Sequence, residues 1–321
     1  MQLGLFTPVF GRFSFDEMLK KIERYKEITA LEIGTGGWPG SAHIDVDKCL
    51  ESHDAAREYG LRIADAGLII SALSCHGNPL HPDPVIAKRY DETFRKTVRL
   101  AERLRVPVVV TFSGCPGGGP KDQVPNWIIA PWPPENLQAL EWQWEERVIP
   151  YWRDAAQFAA NSGIKIALEA HPNFCVYNPE TLLRLRAATN PSIGINLDPS
   201  HLYWQGMDLP VVIDVLKDAI FHVHAKDVAI NSARVARNGV LDGKSYTRMQ
   251  ERSWLFRSVG WGHGELEWKG IASALRLAGY DYVMSIEHED ALASIDEGLS
   301  SAVALLSRII LKDSPVDAWW T

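Results

Sequence analysis

Cysteine is scarce in this chain, and the four that occur, Cys49, Cys75, Cys115 and Cys175, are scattered without a C-x-x-C pair. That spacing supports neither a disulfide framework nor a thiolate metal site and points to buried thiols. Basic residues are in deficit: 33 Lys and Arg against 40 Asp and Glu leave a net charge of −7, which removes the electrostatic reason to expect a nucleic-acid partner. No apolar run reaches the length of a bilayer span, and the opening MQLGLFTP has no basic segment before an apolar stretch. No membrane partner is therefore expected, and the cytoplasm is the expected location. A G-x-G-x-x-G after an early strand is missing too. The glycine run at 117–119 is flanked by Pro116 and Pro120 and reads as a loop, not a phosphate cradle. No short repeat beyond a strand–helix unit is visible.

What the chain does have is length and apolar content. With 321 residues and 46% hydrophobic side chains it can bury a large core, as one large α/β domain or two ordinary ones. QLGLFTP reads as a first strand, and Ser14 is placed to cap the helix FDEMLKKIERYKEI. ALEIG at 30–34 follows, then a glycine- and proline-rich loop carrying Trp38 and His43 and a helical stretch over about 46–66. LIISALSCHGNP, VPVVVTFSG and IKIALEAHP continue the series, the last two separated by an insertion rich in Gly, Pro and Trp at about 114–134. The helix after that insertion should break or kink at Pro150. IGINLDPSH, IFHVHAKD and VMSIEHED complete eight strands, with a second long loop at about 228–265. Helical patterns alternate with the strands, and runs such as VPVVV are apolar on both faces, as a buried parallel sheet requires. The expected fold is a single (β/α)8 TIM barrel over residues 1–321, with long loops after strands four and seven.

The last four strands share one grammar: each closes an apolar run with Asp, His or Glu. In a barrel, strands five to eight are neighbours, so Glu169, Asp198, His224 and Glu287 should converge at the C-terminal mouth. Three carboxylates packed together would repel unless a cation neutralised them, and an oxygen-rich set with one imidazole suits a divalent ion. Mn²⁺ is the expected cofactor, with Mg²⁺, Co²⁺ and Zn²⁺ as alternatives. Taken singly, each residue has an ordinary reading, since Asp198 before Pro199 could start a turn and Glu287 could be a solvated strand end.

The order Glu, Asp-x-x-His, His-x-His-x-Lys-Asp and Glu resembles the xylose isomerase-like TIM barrels described as sugar phosphate isomerases/epimerases, over nearly the whole chain. The resemblance implies Glu169, Asp198, His224 and Glu287 as metal ligands and His201 as a substrate contact beside the metal. It also implies that Glu169 and Glu287 act as acid and base on opposite faces of a keto sugar, through an enediolate. Endonuclease IV, in the same superfamily, is a poor match, because strand four here ends in VTFSG without an extra histidine.

Further candidates are weaker. His171 shares strand parity with Glu169 and could be a base or a substrate donor, or simply end a strand before Pro172. His222 lies deeper on the parity of His224, while Lys226 on that parity could meet a hydroxyl or a phosphate. His76 and Asn78 follow strand three within reach of a sugar hydroxyl. Arg257, in a segment like the family's Arg-x-x-Gly-x-Gly, is a candidate clamp for a substrate oxygen, and His263 a lesser one. Trp38, Trp127, Trp132, Trp204, Trp254 and Trp261 fall in or near loops, where they could stack on sugars, bury the loops or form a subunit interface.

The leading expectation is a metal-dependent isomerase or epimerase of a nonphosphorylated keto sugar. A lyase of the same fold is the alternative, either inosose dehydratase-like or similar to the large subunit of C-glycoside deglycosidases acting on 3-oxo glycosides. The latter brings a small partner subunit with it. A noncatalytic sugar-binding barrel is the third reading. A homo-oligomer is expected from the family's habit of pairing through loops and helices at the mouth.

Overall fold

Short apolar runs bounded by Gly, Pro and polar residues form the strands, and a computed structural model describes their arrangement over residues 1–316, 318 and 320. Strands β1 (Gln2–Phe6), β2 (Ile28–Gly34), β3 (Ile69–Ser74), β4 (Val108–Phe112), β5 (Lys165–Glu169), β6 (Ile193–Leu197), β7 (Ile220–Ala225) and β10 (Val283–Ile286) close into a parallel barrel. Closure runs through β1, which pairs with β10 at Gln2↔Val283 and with β2 at Leu5↔Leu31. The expected (β/α)8 barrel is therefore present, its strands in the order expected.

Two layers of core follow from strand alternation. Outward-facing residues such as Leu5, Ile33, Ile166 and Leu168 pack with Trp152 and Trp268 of the surrounding helices in the main cluster. The interior layer is small: Ala72, Val108, Val110 and Ala167 form a separate cluster. Gly194 belongs there for steric reasons, since a Cβ at that position would lie 2.3 Å from the Ala219 carbonyl oxygen.

Local signals mostly act as expected. Ser14 forms a full capping box with Glu17 at the helix Phe15–Ile22. Pro150, expected to break or kink its helix, does not break it. The segment Gln143–Val148 adopts a π-turn between Glu135–Trp142 and Ile149–Asn161, placing the proline in the first turn of the last piece, where its missing N–H costs little. The loop expected at 228–265 is also more ordered than a loop. It begins with β8 (Asp227–Ile230), which pairs antiparallel with β9 (Trp254–Arg257), and between them lies the helix Ser232–Asn238. Trp204 stacks at 5.1 Å on Trp254 of β9, and both are buried with Val228 of β8, so these two of the loop tryptophans pin structure. Among the described residues no helix is long and apolar enough to cross a membrane.

Candidate metal centre

Parity places Glu169 at the end of β5, Asp198 just after β6, His224 on β7 and Glu287 just after β10, all facing the barrel mouth. One ligand atom from each lies within 4.8 Å of the others. Oε2 of Glu169 is 3.2 Å from Nδ1 of His224, which is 3.0 Å from Oε2 of Glu287. Asp198 Oδ2, His224 Nδ1 and Glu287 Oε2 are buried, and none completes a directional hydrogen bond, although charged neighbours stand close. Buried polar atoms are normally satisfied. Three that converge without such partners fit a divalent cation, and an O,O,O,N donor set suits Mn²⁺, Mg²⁺, Co²⁺ or Zn²⁺.

Charge in this cluster is internally compensated. Burial would raise the Glu169 carboxyl, yet the imidazoles of His201, His224 and His76, with nitrogens 3.1–3.2 Å away, hold it well below the ordinary range. Glu287 is likewise lowered against its burial, by Lys226 and then His224. Burial should strip the proton from Lys226, but Asp198, Glu287 and Glu289 raise the ammonium well above its usual value. His171 goes the other way: burial, reinforced by His201, pushes its imidazole down to the neutral form.

A cavity of about 400 Å³ opens over this cluster. Glu169, His171, Lys226 and Glu287 make one wall, with Glu289 and His76; Phe6, Trp38, Phe112 and Phe174 make the other. Gly37 sets the aromatic wall. At φ +67° a Cβ would lie 2.0 Å from the His76 carbonyl oxygen, which accepts a hydrogen bond from Trp38 N and fixes that side chain over the mouth. A larger cavity of about 720 Å³, against the helices Val46–Glu51 and His53–Asp65, contains none of the four converging residues.

The remaining candidates divide. His201 is fully buried, its Nε2 3.1 Å from Glu169 and 3.3 Å from Asp198, so it sits behind the carboxylates and does not line the cavity. His76 Nε2 lies 3.1 Å from Glu169 Oε2. The His171 ring packs against His201 and Phe112. Arg257 pairs with Asp290 at 3.1 Å and is not among the cavity's lining residues. Asn78 is committed to Cys115, donating to its carbonyl and accepting from its N–H, both at 2.9 Å. His263 contacts Asp227 and stacks on Tyr203. His222 contacts Asn196 and Ser71 in the barrel interior. Trp132 and Trp261 are exposed, and neither lines the cavity.

Glu32 escapes sequence reasoning. From β2 it reaches His224 Nε2 with both oxygens, at 3.0 and 2.9 Å, and is fully buried. Burial raises its carboxyl, but His224, His222 and Ser74 outweigh that and hold it at about 2. A lone carboxylate inside the apolar ALEIG was the available signal, because an unpaired buried Glu is rare. Asn196, which donates to Glu169 Oε2 at 3.1 Å, and Glu289 were missed in the same way.

Comparison with known proteins agrees with this architecture. The uncharacterised protein YfiH of Bacillus subtilis (strain 168) is 39% identical over 313 residues, covering 97% of this chain and 99% of its own. An inosose dehydratase of Geobacillus thermodenitrificans (strain NG80-2) is 30% identical over 139 residues, 42% of this chain and 45% of that one. Among solved structures, the probable 3-DHS dehydratase AsbF of Bacillus anthracis superposes with a TM-score of 0.65 at 18% identity, covering 96% of this chain and 99% of that one. Residues 20–307 match the family model described as xylose isomerase-like TIM barrel, and the chain belongs to that family.

Proposed function

We propose that this chain is a divalent-metal-dependent isomerase or epimerase of a keto sugar, working by removal of the proton next to a carbonyl. The observation that carries this reading is the convergence of Glu169, Asp198, His224 and Glu287 within 4.8 Å, with Glu169 and Glu287 lining a cavity that has one polar and one aromatic wall. A bound divalent ion supplies Lewis acidity to a substrate carbonyl and hydroxyl, which makes the adjacent C–H acidic. Glu287 takes that proton at a carboxylate oxygen, and Glu169, having first taken a proton from solvent, delivers it to the same carbon from the other side. Lys226, on the same cavity wall and held protonated by its acidic neighbours, supplies a positive charge for the developing oxyanion. Phe6, Trp38, Phe112 and Phe174 cover the apolar face of the sugar and exclude water from the carboxylates.

A lyase is the second reading, favoured by the partial match to an inosose dehydratase. The same proton is then lost to Glu287, but the electron pair expels a β-hydroxyl, which leaves as water on taking that proton back from the Glu287 carboxyl. One experiment tests both. Metal-loaded protein is incubated with keto sugars, inososes and 3-oxo glycosides in D₂O. Deuterium at the α-carbon without loss of a group supports the epimerase reading, an eliminated product supports the lyase, and neither with any substrate class rejects both. Glu287→Gln should abolish whichever reaction is seen.

A further inference from the structure

Glu32 and His224 come from strands that are not neighbours in the barrel. In barrel order, β2 and β7 are separated by β1 and β10, so this contact crosses the interior. Both carboxylate oxygens of Glu32 face one nitrogen, Nε2, at 3.0 and 2.9 Å, while the other nitrogen, Nδ1, faces Glu169 and Glu287. The ring has little freedom to turn. Phe6 packs on it at 5.3 Å, and His222 stands edge-on at 5.8 Å. Glu32 is itself tethered: the Ser74 hydroxyl donates to Oε1, and the Thr7 hydroxyl donates to its main-chain carbonyl at 3.0 Å.

Resting on the metal-centre reading above, we infer that Glu32 is a positioning residue for His224, setting both its tautomer and its rotation. A carboxylate accepts hydrogen bonds and cannot donate one, so Nε2 must carry a hydrogen. In the neutral ring that binds an ion the lone pair is then on Nδ1, which faces the position shared with Glu169, Asp198 and Glu287. Without Glu32 the ring could take the other tautomer or swing toward the space vacated, and the four-residue set would lose its only nitrogen donor. Hydrogen bonding at the far nitrogen of a metal-bound histidine acts in this way.

The test reads metal binding, not turnover. Zn²⁺ affinity is measured by competition with a chromophoric chelator for the wild type, Glu32→Gln, Glu32→Asp and His224→Gln. The expected loss is about 10- to 100-fold in Glu32→Gln, with a comparable loss in Glu32→Asp, whose charge is kept but whose carboxylate falls one methylene short. Wild-type affinity in Glu32→Asp would mean that negative charge suffices and overturns the positioning role. So would unchanged affinity in Glu32→Gln when His224→Gln has lost it. Failure of the wild type itself to bind Zn²⁺ rejects the metal centre as a whole, an outcome distinct from either of these. Should the Glu32 variants not fold, ¹⁵N-histidine NMR of Zn²⁺-loaded wild type decides: hydrogen on Nε2 of His224 is expected, and hydrogen on Nδ1 overturns the inference.

Discussion

Nζ of Lys226 stands 2.7 Å from Oε2 of Glu287 and 3.0 Å from Oδ2 of Asp198, so an ammonium group bridges two of the four residues that could hold an ion. A third carboxylate, the half-exposed Glu289, lies 3.3 Å from the same nitrogen. A cation held by the four would compete for the first two, and Glu289 is where the displaced ammonium would go.

Replacing Lys226 with Met should therefore have opposite effects on stability and metal affinity. Breaking a buried ion pair leaves uncompensated carboxylates and costs about 3–5 kcal/mol, so the metal-free variant should melt earlier than wild type. Mn²⁺ should bind it more tightly, and the rise in Tm on adding saturating Mn²⁺ should be larger than in wild type. Equal rises in a thermal-shift titration would show that the ammonium and the ion do not share these carboxylates.

Among the described residues three groups of side chains are spaced to hold a metal: the set of four, Glu169 with His171 and His201, and Glu32 with His222 and His224. Single variants separate them. Glu287→Gln and Asp198→Asn should weaken Mn²⁺ binding, while His171→Asn should leave it unchanged and lower kcat by about 10²–10⁴, the usual share of a general acid or base. Loss of metal in His171→Asn, read by calorimetry, would move the ion to the second group.

Asp227 anchors the loop after β9. Its Oδ2 accepts from the N–H groups of Gly260, Gly262 and His263 at 3.0–3.1 Å, and Oδ1 contacts His263 Nδ1 at 2.8 Å. Asp227→Ala should destabilise the protein by about 3 kcal/mol, since hydrogen bonds to a charged group contribute about 1.5–3 kcal/mol each and do not add fully. Amide exchange should rise at residues 260–263 with metal affinity unchanged. Protection retained at those amides would show that packing alone holds the loop.

The acid limb of stability should report Asp290. Burial raises this carboxyl, but N–H groups of Ser258 and Leu292, the Arg257 guanidinium and the Ser258 hydroxyl more than reverse that and lower it. A folded-state value below the unfolded one means a contribution that is complete above the ordinary aspartate value of about 3.9 and is lost as pH falls through the folded value. Asp290→Ala should be less stable than wild type at pH 6, and the gap should narrow below pH about 4. A gap constant across that range in urea titrations would assign the loss to packing.

Much of the barrel was legible because its signals are local. Alternating apolar runs, the Ser14 cap and the glycine- and proline-rich connections each act within a few residues. The π-turn before Pro150 and the hairpin of β8 and β9 were not legible. The first depends on how a helix relieves a missing hydrogen bond, and the second on pairing between segments more than 20 residues apart.

From the sequence alone came the eight-strand order and the side of each strand that carries Glu169, Asp198, His224 and Glu287, since alternation along a strand decides which way a side chain faces. Only the folded barrel decided what each one meets. Glu32 arrives at His224 from across the interior, Lys226 bridges Asp198 and Glu287, and Arg257 is bound to Asp290 outside the cavity lining. Such contacts depend on barrel closure and register, which bring together side chains that no spacing along the chain relates.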